Sequence, residues 1–250
     1  MNKQLTALCA IALVSLWPGP ASAASCTARS APTRAVLLEL YTSEGCDSCP
    51  PADQWLSRLR TAAPANVVPL AFHVDYWDRL GWVDRFASPA YSERQNRLAA
   101  LAKTDFVYTP QFVRNGRDWR RTGSLAETAA AGASIALDLA APASGPWQLD
   151  IDIQSLGAKP TAATWLALYE HNLESQVKAG ENSGKTLHHD YVVRRLLGPF
   201  ALDQTGRLTL HQAIALESGW KRGDLGMAAF VQDGATGEIL QALARHACPG

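Results

Sequence analysis

Apolar residues run almost unbroken from Val36 to Tyr41, with Glu39 the single interruption, and then give way to the polar turn Thr42-Ser43-Glu44-Gly45. A continuous apolar run of this length predicts a strand buried on both faces over residues 36–41. Beyond the turn, Trp55, Leu56 and Leu59 fall on one face of a predicted helix, and residues 66–74 form a second strand-like run. Strand, helix, strand is the order of a βαβ unit with parallel strands. Residues 91–102 predict a helix that buries Leu98, Leu101 and Ala102, with Ser88-Pro89 near its start. The apolar run from Phe106 to Val113 leads into Asn115-Gly116, a strong hairpin signal. A short return strand through Trp119 and an Ala-rich helix over 124–133 complete this first unit.

The pattern then changes. Residues 134–140, 147–154, 163–169, 190–197, 207–211, 227–232 and 238–243 are short, β-rich or alternating, and are separated by Gly, Pro, Asn and Asp. Leu149-Asp150-Ile151-Asp152-Ile153 alternates cleanly, as a strand with one wet face does. Such strands predict an antiparallel, immunoglobulin-like sandwich. The expected organisation is therefore an α/β domain over residues 24–136 followed by an all-β sandwich domain over 137–250. The stretch Ala141-Pro142-Ala143-Ser144-Gly145-Pro146 reads as either a linker or a hairpin turn, and no internal repeat is visible.

Residues 1–23 change the compartment. Lys3, the apolar run Leu5 to Trp17 and the small residues Ala21-Ser22-Ala23 have the layout of a signal peptide, so the mature chain is expected to be periplasmic or secreted. No other segment is long and apolar enough to span a membrane. Lys plus Arg and Asp plus Glu both number 23, so net charge points to neither nucleic acid nor an anionic membrane as partner. The local group Arg114, Arg117, Arg120 and Arg121 reads as a solvated hairpin. Oligomeric state is not legible.

With Cys9 removed in the signal peptide, Cys26, Cys46, Cys49 and Cys248 remain, an even set suited to disulfides in an oxidising compartment. Close spacing favours Cys46 with Cys49. That leaves Cys26 with Cys248 as a structural disulfide joining the two ends of the mature chain.

A Cys-x-x-Cys pair after an apolar strand has three readings: a redox dithiol, a plain structural disulfide, or part of a metal site. A helix start lowers thiol pKa, as redox chemistry needs. A four-cysteine zinc site would require a second close pair, which is absent, so no metal and no cofactor are assigned. Copper or zinc held by the dithiol with His73, or with His188 and His189, stays as an alternative. His73 and Asp75 close the second strand run on one predicted face, where they would orient a substrate or remain structural. Trp77, Trp82 and Tyr91 form either a peptide-contacting rim or core beneath a long loop. His188 and His189 point to opposite faces of a strand and read as surface residues. Ser43, Ser48 and Ser183 have no hydrolase context.

The βαβ unit with Cys46-Asp47-Ser48-Cys49 at its first crossover, followed by Thr109-Pro110 and the Asn115-Gly116 hairpin, resembles the thioredoxin-like fold. That resemblance implies that Pro110, with Thr109, faces the dithiol as a substrate-aligning cis-proline. Glu39 resembles the buried glutamate of protein disulfide isomerases, which would relay the proton of Cys49, although a salt-bridged Glu39 fits the sequence equally. More specifically, Leu40 to Asp53, His73 to Asp78 with Gly81-Trp82, Arg94-Gln95, Tyr108 to Gln111, Gly180-Glu181-Asn182 and Tyr191 to Arg194 resemble the DUF1223 family of exported bacterial proteins. Gly45 and Pro50-Pro51 depart from the thioredoxin pattern: prolines suit only a first helical turn, so regular helix should start near Pro50.

The expected activity is thiol–disulfide exchange on an exported protein or a small thiol or disulfide. Cys46 would attack, Cys49 would resolve, and Thr109, His73, Asp75 and Trp77 would contact the substrate. The alternatives are a non-catalytic binding module with a structural disulfide, and the copper or zinc carrier.

Overall fold

The computed structural model describes residues 25–62, 64 and 66–246. The predicted signal peptide and Cys248 lie outside them. Fourteen strands are described, with two α-helices and two short 3-10 turns. In chain order they begin with β1 (Ser25–Arg29), β2 (Val36–Thr42), α1 (Pro50–Ala62), β3 (Val67–His73), α2 (Pro89–Leu101), β4 (Gln111–Arg114) and β5 (Arg117–Asp118). There follow β6 (Ala133–Ala140), β7 (Trp147–Ser155), β8 (Ala162–Glu170), β9 (Leu173–Gln176), β10 (Thr186–His189), β11 (Val192–Ala201), β12 (Arg207–Ile214), β13 (Leu225–Asp233) and β14 (Ile239–His246).

The first sequence features form as their chemistry dictates. All seven residues of β2 are buried, and β2 pairs parallel with β3 in the register Val36↔Val67 to Thr42↔His73. Pro69 is tolerated inside β3 because β11 meets that strand only at Ala71. The Ala71 N–H donates to the Tyr191 carbonyl, so the N position of residue 69 points to the same, unpaired side and loses no ladder bond. Asn115 and Gly116 take φ of 49° and 83°, the two positive values a tight hairpin turn between β4 and β5 needs. A side chain at Gly116 would put its Cβ 2.0 Å from the Gly237 carbonyl oxygen, so only glycine fits.

The expected pair of units, a thioredoxin-like α/β domain followed by a separate immunoglobulin-like sandwich, does not form. The strands of both halves instead join one eight-stranded mixed sheet in the order β14-β13-β8-β11-β3-β2-β4-β5. A four-stranded antiparallel sheet, β1-β6-β7-β12, packs on part of it, and β9 and β10 form a separate hairpin. The first described strand therefore belongs to the same sheet as β6, β7 and β12, and the expected boundary at 136/137 falls within β6.

The reason lies in β8 and β13. Ala167 and Tyr169 of β8, with Ala228 and Phe230 of β13, pack into the core that contains β2, β3 and the helices. Leu166 and Leu168, with Met227, Ala229 and Val231, pack into the core shared with the four-stranded sheet. Alternate residues of the same strands thus seal two different cores, and neither core closes without them. The Ala-rich segment 124–133 is also not a helix. Glu127 Oε1 accepts the N–H groups of Thr128 and Ala129, and its other oxygen pairs with Arg34 at 3.1 Å, which satisfies this backbone in irregular form.

Candidate functional site

At the end of β2 the chain turns through Ser43 to Gly45, and the Cys46 N–H returns to the Ser43 carbonyl. Cys46 occupies a second turn, closed by the Cys49 N–H on the Cys46 carbonyl. The Cys49 carbonyl then accepts from Ala52 and Asp53, so Cys49 caps α1 and the two prolines occupy the first turn, where no N–H is missed. Cys46 and Cys49 are joined as a disulfide with Cα atoms 5.4 Å apart. Both residues are 0 % exposed, whereas Asp47 and Ser48 between them face solvent. Ser48 Oγ lies 3.4 Å from the Cys46 sulfur.

Two remote segments cover this turn. From one side comes the loop after β3, which winds into a 3-10 turn over Asp75–Leu80. Trp77 fills the space beside Gly45, where an added Cβ would sit 3.3 Å from the Trp77 Cβ, and its indole N–H donates to Thr109 Oγ1 at 2.8 Å. Trp82 donates to Glu44 Oε2 at 2.8 Å. From the other side comes the strap between β9 and β10. Asn182, fully buried, donates from Nδ2 to the carbonyls of Glu44 (2.9 Å) and Cys46 (2.8 Å), and its Oδ1 accepts from Lys185. Glu181 takes the Asp47 N–H.

Beneath the turn lies a buried acid–base cluster of Glu44, Asp53, His73, Asp84 and His189. His73 Nδ1 meets Asp84 Oδ2 at 2.6 Å. His189, from β10, sits 5.0 Å from the His73 ring, with its Nε2 3.3 Å from Glu44 Oε1 and its Nδ1 3.8 Å from Asp53 Oδ2. Phe86 stands edge-on to both imidazoles. Burial alone would lower the His73 pKa, but Asp84, Asp53 and Glu44 raise it above the ordinary histidine value. Burial would likewise raise Asp84, yet His73 and the N–H groups of Glu44 and Phe86 hold it below the usual carboxylate range. Glu44 is also held low: burial works to raise it, and hydrogen bonding led by His189 outweighs that. Asp53 is raised, chiefly by burial. The arrangement is a buried ion pair next to groups able to take or release a proton, all packed against a disulfide turn. Among the described residues, no group of three or more His, Cys, Asp or Glu side chains is arranged to hold a metal ion.

The model of the family described as "protein of unknown function (DUF1223)" matches residues 37–232, the span that carries both the disulfide turn and the segments covering it. The chain belongs to the DUF1223 family. A crystal structure of protein AGR_C_4864 from Agrobacterium tumefaciens is 24 % identical to this DUF1223 chain, with a TM-score of 0.61 over 86 % of this chain and 95 % of that one. HBP35 of Porphyromonas gingivalis is 17 % identical, with a TM-score of 0.63 over 87 % of this chain and 76 % of its own. Both likenesses bear on the fold alone. No curated protein matches the sequence.

In this DUF1223 chain some of the residues expected at the site lie together and others lie apart. The Thr109-Pro110 peptide is cis, and the register Tyr41↔Gln111 brings it to the same sheet end as the turn, tied there through Trp77. Glu39 does not reach the cluster. It is paired with Arg94 at 2.6 Å and bonded by the Tyr41 hydroxyl. Asp75 does not share His73's face, because β3 stops at His73, and Asp75 instead bonds Ser92 of α2. His189 is not a surface residue. It is 2 % exposed, while its neighbour His188 points out with a side chain 70 % exposed. Strand alternation predicted the opposition of the two histidines and not which one faces inward. Asn182, Glu181, Asp84 and Asp53 carry no local signal of their roles. Cys26 is buried in β1, and its expected partner Cys248 lies outside the described residues.

Proposed function

We propose that this chain is a thiol–disulfide oxidoreductase that exchanges the Cys46–Cys49 bridge with a protein or small-thiol substrate outside the cytosol. The observation that supports it is the packing of Glu44, Asp53, His73, Asp84 and His189 against the disulfide turn. A bridge between residues three apart closes so short a loop that it restricts the unfolded chain by only about 2 kcal/mol. Burying five ionisable groups opposes that gain, so stabilisation alone is a poor reason to keep the two features together. Disulfide chemistry gives the cluster a use, because each reduction of the bridge brings two protons to account for.

In the reducing direction, the Cys46 thiolate attacks one sulfur of the substrate disulfide and displaces the other as a thiolate, which takes up a proton. The Cys49 thiolate then attacks the Cys46 sulfur and displaces the second substrate thiolate. Two electrons pass to the substrate, and the Cys46–Cys49 bond is formed. Cys46 is the attacking sulfur because it lies in the turn ahead of the helix, with the Ser48 hydroxyl 3.4 Å from its sulfur, whereas Cys49 is tied into the helix cap. Leu80 and Val83, exposed on the covering loop, offer apolar contacts to a substrate. In the oxidised form both sulfurs are covered, so exchange requires Trp77 or Asn182 to move aside.

Equilibration against glutathione and dithiothreitol tests the reading. A potential above about −300 mV is expected, and a lower one marks a locked structural bridge and removes the proposal. The variant Cys49→Ser should retain mixed disulfides through Cys46, which a reducing gel resolves.

A further inference from the structure

A second site stands apart from the cysteines. Between α2 and the ends of β8, β11 and β13 lies a cavity of about 290 Å³. Helix α2 turns Arg94, Arg97, Leu98 and Leu101 towards it, the i, i+3, i+4, i+7 stripe of a single helical face. Trp165 and Pro199 are part of the opposite wall. Two guanidinium groups and no carboxylate line it.

The two arginines differ. Arg94 is 5 % exposed; its Nε donates to Glu39 at 2.6 Å and its Nη1 to Gln232 Oε1 at 3.1 Å, while Nη2 completes no hydrogen bond. A guanidinium carries five N–H donors, so this buried group keeps donors without an acceptor, an expensive state for a charge out of water. Its Cζ lies 5.5 Å from the Trp165 ring and 4.8 Å from that of Phe230, so aromatic faces hold it in place. Arg97 is exposed at the rim and makes no ion pair among the described residues. Glu39 balances Arg94, which leaves the charge of Arg97 as the net charge of the site.

We propose that this cavity binds a small organic monocarboxylate with a flat apolar body. One uncompensated positive charge matches one negative charge, and a planar guanidinium fits a carboxylate in two-point contact. Leu98, Leu101, Pro199 and Trp165 suit an apolar body. The volume of about 290 Å³ admits a ring of benzoate size.

The test is ligand-observed NMR and calorimetry on the purified protein, with benzoate and its neutral isostere benzamide as probes. Benzoate should bind at least about tenfold more tightly than benzamide, the ratio expected of one charge-assisted contact. Arg97→Gln, a surface change, should erase that preference while leaving benzamide unaffected. Ala163→Phe, which fills the cavity, should abolish binding of both at an unchanged melting temperature. Equal affinity for the two probes, absence of benzoate binding at millimolar concentration, or benzoate binding indifferent to Arg97→Gln would each overturn the proposal.

Discussion

Two histidine–aspartate pairs of equal length sit in opposite surroundings. Under the cysteine turn, His73 and Asp84 lie 2.6 Å apart with neither side chain exposed. On the four-stranded sheet, His211 and Asp150 also lie 2.6 Å apart, with side chains 76 % and 61 % exposed. The strands that carry them differ in the same way. The seven residues of β2, which adjoins His73, are all buried, whereas β7 and β12 alternate between core and solvent. Equal distance is therefore not equal energy. A solvated pair exchanges one set of favourable contacts for another, while a buried pair has no such substitute once either partner is removed.

The largest effect that follows is on Asp84. Asp84→Asn leaves a buried His73 without its directly paired counter-charge and weakens the acceptor that holds the Glu44 and Phe86 N–H groups. Urea unfolding should show a loss of about 3–5 kcal/mol. A loss below about 1 kcal/mol would place this pair in the same class as the exposed one and break the contrast.

The same pair sets a pH dependence. His73, raised above 6.5, contributes stability that is complete below 6.5 and is lost as pH rises through its folded value. Asp84, lowered below 3.8, contributes stability that is complete above 3.8 and is lost as pH falls through its folded value. The pair therefore stabilises most between these two ordinary values. Asp53, raised from 3.8 by burial, takes stability away as pH climbs from there and draws the optimum towards the acid end. Melting temperatures should fall as pH rises above 6.5, and Asp84→Asn should flatten that fall. A flat wild-type profile would show that His73 does not titrate with folding.

A smaller effect is expected at the strap. Asn182→Ala strands the Glu44 and Cys46 carbonyls that its amide holds, at a cost of about 1–3 kcal/mol. If the strap shields the sulfurs, dithiothreitol should reduce the bridge about tenfold faster in this variant, since local opening becomes easier by about 1.4 kcal/mol. An unchanged rate would assign the shielding to Trp77 instead.

What the sequence disclosed follows the reach of each signal. Val36 to Tyr41, Asn115-Gly116 and Pro50-Pro51 act over a few residues, and each predicted feature formed where it was read. The disulfide turn itself was legible for the same reason. The global fold was misjudged because alternation in β8 and β13 says that two faces exist, not that both are buried in different cores. The apolar-on-both-faces reading applied to β2 holds equally for Leu225–Asp233, buried along its whole length, and that pattern was the available clue to a central strand. Partners distant in sequence stayed hidden. Asp84 replaces Asp75 beside His73 because β3 ends two residues short of Asp75, and Asn182 reaches the cysteine turn across 136 residues.

The smallest effect expected is on the exposed pair, and it bears most directly on the comparison. His211 and Asp150 are directly opposed partners of β12 and β7, a position where cross-strand pairing gives its best return. Even so, solvent reaches both side chains, and holding them together costs side-chain freedom. A double-mutant cycle of His211→Ala and Asp150→Ala should give a coupling of roughly 0–0.5 kcal/mol that shrinks further in high salt. The matching cycle on His73 and Asp84 should give several times that and resist salt, because ions do not enter the buried cluster. Equal couplings in the two cycles would mean that geometry, and not burial, governs both pairs, and that burying the cluster under the disulfide carries no energetic cost of its own.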